Sequence, residues 1–279
     1  MLLEKPRFAL NHMTAPQLDC RRFIDLAASL GCVGVELRND LADKRLSGAA
    51  FFDGEAPEAI GAYAREKGLR LLGLSEANGF NTWSGPMRDK VQLLIDQAKA
   101  CGAESVSLIP RNDAPDWSHA ERMAALRAAI AAILPMLDKA DMSGLIEPLG
   151  FTTSTLRSKA EAVESIEAEG GLGRFKLVHD TFHHHLAGGG PVFPEHTGIV
   201  HISGVVDLAL SPAEMADGHR ILVDASDRLG NIEQMRALLK AGYSGAFSYE
   251  PFSPLVHALA DPTAALAASM DYIAGGIAV

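Results

Sequence analysis

Short apolar runs, each followed by a helix-length segment, recur eight times along the 279 residues with no linker between them. Few architectures accept that alternation. Two parallel strands cannot be joined by a tight hairpin; they need a crossover of a dozen or more residues, so repeated strand-then-helix units build a parallel sheet covered by helices. Strands are expected at 8–11, 34–38, 69–77, 105–110, 144–149, 175–181, 198–203 and 245–252. Helices are expected at 14–30, 56–67, from the loop 78–86 up to residue 100, and at 118–139, 158–169, 231–241 and 262–274. Thr14 and Pro16 read as a cap and a first-turn proline, and Gly31, Gly68 and Gly102 as helix stops. After strand six the connection is glycine-rich, so its helix must be short or displaced. Eight such units predict a closed (β/α)8 TIM barrel filling residues 1–279 as a single domain. A doubly wound open sheet is the weaker alternative, because no GxGxxG turn follows strand one and polar residues end nearly every strand.

Composition narrows the partners. A net charge of −10 and a pI near 5.4 give no electrostatic reason to hold a polyanion, so nucleic acid is disfavoured. The most apolar long segment, 124–137, contains Arg127 and Pro135 and is too short to span a bilayer, so no membrane contact is expected. Cys20, Cys32 and Cys101 form no CxxC pair, and the N-terminus carries charges and a proline where a signal peptide needs an apolar core. A cytoplasmic protein is the expectation.

The stretch 176–190, Lys-Leu-Val-His-Asp-Thr-Phe-His-His-His-Leu-Ala-Gly-Gly-Gly, delivers an acid and then histidines where a buried strand emerges. Enzymes built on parallel strands keep their chemistry at such ends. Glu147, Asp180, His201 and Glu250 each end one of strands five to eight. Adjacent strands lie about 5 Å apart, so four ends on a curved wall can converge. One acid at a strand end is more often a cap or an ion-pair partner; four in register reverse that reading. Three carboxylates crowded in an apolar mouth raise one another's pKa, and one bound divalent cation relieves them. Three oxygen donors and an imidazole suit Mn²⁺, Mg²⁺ or Co²⁺, and Zn²⁺ accepts them too.

Other candidates stand nearby. Ala246, Ser248 and Glu250 share strand parity, so Glu250 is expected to face the barrel interior, whereas His179 has the opposite parity to Asp180 and is expected against a helix. Of the His183-His184-His185 triplet, read as part of the loop, His183 leaves the strand first and is expected at the substrate. Glu36 and Arg38 are expected as an ion pair in the mouth, with Glu36 also a candidate substrate contact; Asn11 and His12 end strand one similarly. Trp83, with Phe80 and Trp117, is a candidate lid and substrate contact.

With these residues in hand, the chain resembles the xylose-isomerase-like superfamily of sugar isomerases and epimerases, which also includes the endonuclease IV type of repair enzyme. More narrowly it resembles the inosose (2-keto-myo-inositol) isomerases of inositol catabolism. The matching segments are 34–40 (Gly-Val-Glu-Leu-Arg-Asn-Asp), 180–183 (Asp-Thr-Phe-His), 200–202 (Val-His-Ile) and 240–245 leading to Ser248-Tyr249-Glu250. The resemblance implies Glu147, Asp180, His201 and Glu250 as ligands of one divalent ion, His183 as a contact to a substrate hydroxyl, and Arg220 as a substrate-side cation. It also implies a small sugar or cyclitol substrate and, from the class, a homodimer. Members often carry an acid soon after the strand-seven histidine, where this chain has Ser203-Gly204. The implied reaction moves a proton next to a ketone through a metal-stabilised enediolate, with Glu147 and Glu250 as the acid/base pair. An inosose dehydratase-like lyase is the alternative, and an endonuclease IV-like enzyme a more distant one.

Overall fold

In the computed structural model, which describes residues 4–113 and 115–278, eight strands pair in chain order, all parallel, and the eighth pairs with the first. They are β1 (Arg7–Asn11), β2 (Gly34–Arg38), β3 (Arg70–Asn78), β4 (Ser105–Ile109), β5 (Ser143–Ile146), β6 (Phe175–Asp180), β7 (Thr197–Ile202) and β8 (Ala246–Tyr249). Outside them run α1 (Cys20–Ser29), α2 (Pro57–Glu66), α3 (Gly85–Cys101), α4 (His119–Ala140), α5 (Lys159–Ala168), α6 (Thr181–Leu186), α7 (Asn231–Lys240), α8 (Pro254–His257) and α9 (Thr263–Ala278). The closed barrel is the expected fold. Residues 1–3 and 279, on which the expected domain limits and the reading of the N-terminus fall, lie outside the described residues.

Strand parity sorts the side chains. Ala9, Leu72, Leu145, Val178, Ile199 and Ala246 form one small apolar cluster, the plug inside the barrel. Two residues further along, Leu145 gives way to Glu147, Val178 to Asp180, Ile199 to His201, and Ala246 to Ser248 and then Glu250. The interior therefore changes from apolar at its base to charged at its mouth. Residues of the other parity, such as Leu177, Val200, Phe247 and Tyr249, pack outward with the helices in the main core. The helix layer packs closely enough that a Cβ at Gly61 on α2 would come within 1.9 Å of the Cys101 carbonyl oxygen.

Two local expectations need correction. The first helix does not start at Thr14: residues 12–14 form a 3-10 turn, and α1 begins at Cys20, with the Asp19 side chain accepting from the Arg22 amide. Asp19 supplies the cap acceptor that Thr14 cannot, because the Thr14 hydroxyl donates instead to the Tyr249 carbonyl and ties the β1 end to β8. The histidine triplet is likewise helical, not loop. Asp180 closes β6 and caps α6, its Oδ1 accepting from the His183 amide at 2.8 Å, so the helix starts without a connecting loop. The cysteines are buried free thiols, and among the described residues no helix is long and apolar enough to cross a membrane.

Candidate metal centre

The register of the second-half strands levels their functional ends. Asp180 pairs with His201 and His201 with Ser248, while Glu147 and Glu250 stand just past β5 and β8. One donor atom from each of Glu147, Asp180, His201 and Glu250 falls in a set mutually within 4.8 Å, and all four residues are buried. Donors each about 2 Å from a shared ion stand at most roughly 4 Å apart, so the set needs to close by only a little to hold one.

His201 decides how the set is wired. Its Nε2 lies 3.1 Å from Glu36 Oε1, and an ionised carboxylate only accepts, so Nε2 carries the hydrogen. Nδ1 then points its lone pair at Glu250 Oε2, 3.2 Å away, and at Glu147 Oε1, 3.8 Å away, and has no hydrogen-bond partner. A lone pair facing carboxylates across a buried gap calls for a cation between them. This is the carboxylate–histidine–metal arrangement, in which an outer acid fixes the ring's tautomer and rotation. Ser248 donates to Glu36 Oε1 at 2.6 Å and fixes the acid in turn.

The electrostatics show the same demand. Six acids are buried around the mouth (Glu36, Asp40, Glu76, Glu147, Asp180 and Glu250) against two buried arginines, Arg38 and Arg220. Burial opposes charging the His201 ring, yet Glu250 and Glu36 outweigh it and carry the ring well above its usual value, so a proton and a metal ion compete for the same Nδ1 lone pair. Burial pushes the Glu147 carboxyl up, helped by the charges of Glu250 and Asp180. Burial would raise Glu250 too, but His201, Arg220 and Arg38 overcome it and hold the carboxyl well below the usual range. The donor set, three hard carboxylates and one imidazole, fits a divalent ion of the Mn²⁺, Mg²⁺, Co²⁺ or Zn²⁺ kind.

Above the four residues opens a cavity of about 390 Å³, lined among others by Arg38, Glu76, Glu147, His183, Arg220 and Glu250. His183 lines it: the ring lies edge-on to Phe151 and Phe182, its Nε2 is 4.0 Å from Glu147 Oε1, and its buried Nδ1 is unpartnered. A Cβ at Gly150 would come within 2.4 Å of the His183 carbonyl oxygen, so glycine there lets the β5–α5 loop press α6 into place. Arg220 is buried between Phe252 and Phe182 and donates to Asp180 Oδ2 at 2.6 Å and Glu250 Oε2 at 3.0 Å. Its Nε donates to Ser203 Oγ at 2.9 Å, which gives the serine of the departing Ser203-Gly204 pair a place in the site.

Four expectations are not met. Glu36 does not line the cavity; it is fully buried behind the His201 ring, on the Nε2 side, where the ring separates it from a substrate. Arg38 does not pair with Glu36 but donates to Glu250, Asp40 and Glu76 at 2.7–2.9 Å. Trp83 is half-buried against the hydrophobic core outside the cavity, and Phe80 is wholly inside that core. His12 also turns away, stacking on Phe23 with Nε2 at the Leu18 carbonyl. His179 packs outward, as its parity requires, between Gln234 of α7 and Lys159 of α5. Sequence reasoning passed over Asp40 and Glu76, although an acid two residues from the end of strand three was a readable signal.

The profile of the Xylose isomerase-like TIM barrel family matches residues 24–275. The chain belongs to that family. A xylose isomerase domain containing protein of Salmonella typhimurium LT2 is 29% identical, with a TM-score of 0.86 over 99% of this chain and 98% of that one. The IolI protein with a binding zinc atom is 15% identical, with a TM-score of 0.81 over 98% of each chain. A D-psicose 3-epimerase from Clostridium cellulolyticum H10, solved with D-tagatose, is 13% identical, with a TM-score of 0.73 over 98% of this chain and 100% of that one. No curated protein matches the sequence. Family membership accounts for the barrel; the wiring of the site rests on the distances above.

Proposed function

We propose that this protein is a divalent-metal-dependent isomerase or epimerase of a keto-polyol or ketose, and that 2-keto-myo-inositol is its substrate. The observation that carries the reading is the His201 ring, fixed by Glu36 on one side and presenting a bare Nδ1 to Glu147 and Glu250 on the other. A divalent ion held by Glu147, Asp180, His201 and Glu250 would supply Lewis acidity to a ketone oxygen and the adjacent hydroxyl, easing loss of the proton between them.

The remaining work falls to the chain's own groups. Glu147 and Glu250 flank Asp180 and His201 in barrel order, so a substrate lying across the mouth meets one carboxylate from each side. One takes the proton beside the ketone and the other returns a proton to the neighbouring atom, their roles exchanging in the reverse direction. Arg38 and Arg220 hold Glu250 ionised and fixed in place. His183 holds a substrate hydroxyl and lowers the entropy cost of reaching the reactive geometry. The solved relatives bound to zinc, D-tagatose or D-allulose lend support by likeness of fold. The free thiols add a cytoplasmic location to the proposal, and the class a homodimer acting on a small polyol.

Proton NMR of 2-keto-myo-inositol in D₂O, with magnesium- or zinc-loaded protein against a protein-free control, tests the reading. We expect the signals beside the ketone to fade and those of a second keto-inositol to grow. An absorbing enone or dione in place of an isomer would replace isomerase with lyase. No exchange at all, with metal bound, would overturn the assignment.

A further inference from the structure

A second cavity, of about 350 Å³, opens between the β5–α5 loop and the C-terminal end of α6. Its walls are cationic in a chain whose net charge is −10. Arg122, Arg157 and Lys159 all line it, and among the described residues none of the three is ion-paired with a carboxylate; their partners are neutral. Arg157 donates to the Gly150 and Leu186 carbonyls and Arg122 to the Thr155 carbonyl. Lys159 is nine-tenths buried, and its ammonium donates to Nδ1 of His179 at 2.5 Å and of His184 at 3.0 Å. His179 Nε2 meets the Gln234 side-chain oxygen, so that nitrogen carries the hydrogen and Nδ1 is the acceptor. An ammonium has three hydrogens to give, and only two are placed. The one acid on the wall, Glu161, is turned to His119, 3.4 Å away.

The cavity also receives the N-terminus of α5, ten residues long, with Ser158 as its cap. The first amides of a helix have no intrahelical acceptor and sit at the positive end of its dipole. Ser158 Oγ takes the Glu161 amide, so three uncompensated cations, one of them buried, and the first two amides of α5, of Lys159 and Ala160, are the complement of an oxyanion. Burial outweighs the distant pull of Asp180 and pushes the Lys159 ammonium down to about 7, the response of a charge that lacks its partner. The space is that of roughly ten water molecules, so the anionic group arrives as part of a small molecule.

We propose that this cavity is a binding site for a phosphate or carboxylate group of a small molecule, held by Arg122, Arg157, Lys159 and the first amides of α5. His183 lines both this cavity and the one above the metal centre, which makes α6 the shared wall. The site does not depend on the metal reading, and either an anionic group on the substrate or a separate metabolite fits its chemistry.

The test is calorimetric titration of inorganic phosphate into the full chain without added divalent metal, for wild type, Arg157→Gln, Arg122→Gln and, as a control, Arg111→Gln, because Arg111 lines the cavity above the metal centre and not this one. We expect saturable binding of one phosphate, weakened about tenfold or more by Arg157→Gln and by Arg122→Gln, the scale of one charge-assisted hydrogen bond, and changed less than about twofold by Arg111→Gln. Should Arg157→Gln fail to fold, Arg122→Gln alone decides, because Arg122 spares the α6 carbonyls. Absence of saturable binding, or binding lost in Arg111→Gln but not in the other two, overturns the proposal. Comparing turnover of a phosphorylated and an unphosphorylated keto-polyol by the metal-loaded protein separates the sources: a preference for the phosphorylated one that Arg157→Gln abolishes assigns the anion to the substrate, and no preference assigns it to a separate ligand.

Discussion

The two halves of the barrel use the same strand pattern for different ends. In β5 to β8 the inward-facing residue at the mouth is Glu147, Asp180, His201 or Glu250, and all four meet in one buried set. In β2 and β3 it is Glu36, Arg38 or Glu76, and these reach across the barrel to serve that set. Glu36 holds the His201 ring from behind, and Arg38 holds Glu250 from the side while tying it to Asp40 and Glu76. Position makes the difference. Glu36 stands behind the imidazole, so its carboxylate reaches the far nitrogen and not the gap between the carboxylates. The comparison teaches that a metal centre of this kind is built by one half of the barrel and held in register by the other.

That division can be broken most directly on the ligand side. Asp180→Asn removes a charged donor and leaves Arg220 Nη2 facing a neutral amide across 2.6 Å. A metal contributes several kcal/mol to such chemistry, so turnover should fall by roughly 10³-fold or more, together with loss of tight Zn²⁺ or Mn²⁺ binding in calorimetry. Unchanged metal affinity in this variant would remove the centre from β5–β8 altogether.

A milder loss is expected one layer out. Glu36→Gln keeps the shape and an acceptor oxygen but gives up the charge that fixes the hydrogen on His201 Nε2. Outer partners of metal-bound histidines are worth about 10–100-fold in metal affinity, and the conservative change should sit near the lower end, about 10-fold. Thermal unfolding of the metal-free protein should shift far less than metal affinity does. A loss as large as that of Asp180→Asn would make Glu36 a ligand itself and erase the distinction between the halves.

How much of this was legible in the sequence follows the same split. The ligands could be read because each ends a strand and shares parity with small or apolar residues that must face inward, as Ala246, Ser248 and Glu250 do. Parity also placed His179 outside. The roles of Glu36 and Arg38 could not be read that way. Two opposite charges at i and i+2 on one strand face look like a pair, but barrel closure brings β8 beside β1 and offers Arg38 the Glu250 carboxylate instead. Trp83 looked like a lid because it sits in a turn-rich loop; the start of α3 behind it, capped by Ser84, leaves the indole against the core. The cationic cavity is built from the start of α4, the loop before α5, α5 itself and α6, and no local pattern joins Arg122, Arg157 and Lys159.

The smallest effect should come from the outermost link of the His201 chain. The Ser248 hydroxyl donates to Glu36 Oε1, the same oxygen that lies 3.1 Å from His201 Nε2. Ser248→Ala removes one donor from a carboxylate that keeps another, and leaves a methyl where the barrel floor is already apolar at Ala246. One such hydrogen bond is worth about 0.5–1.5 kcal/mol, and only the part that reaches the metal through two intermediates appears in its affinity. Metal binding should weaken about threefold, measured in the same calorimetric titration. The gradient from Asp180 through Glu36 to Ser248 is the property to check: a support whose effect decays with each link holds the ligand half in place mechanically. An effect of Ser248→Ala equal to that of Glu36→Gln would instead mean that the three groups act as one cooperative unit, and that the boundary between building and holding runs through β8 itself.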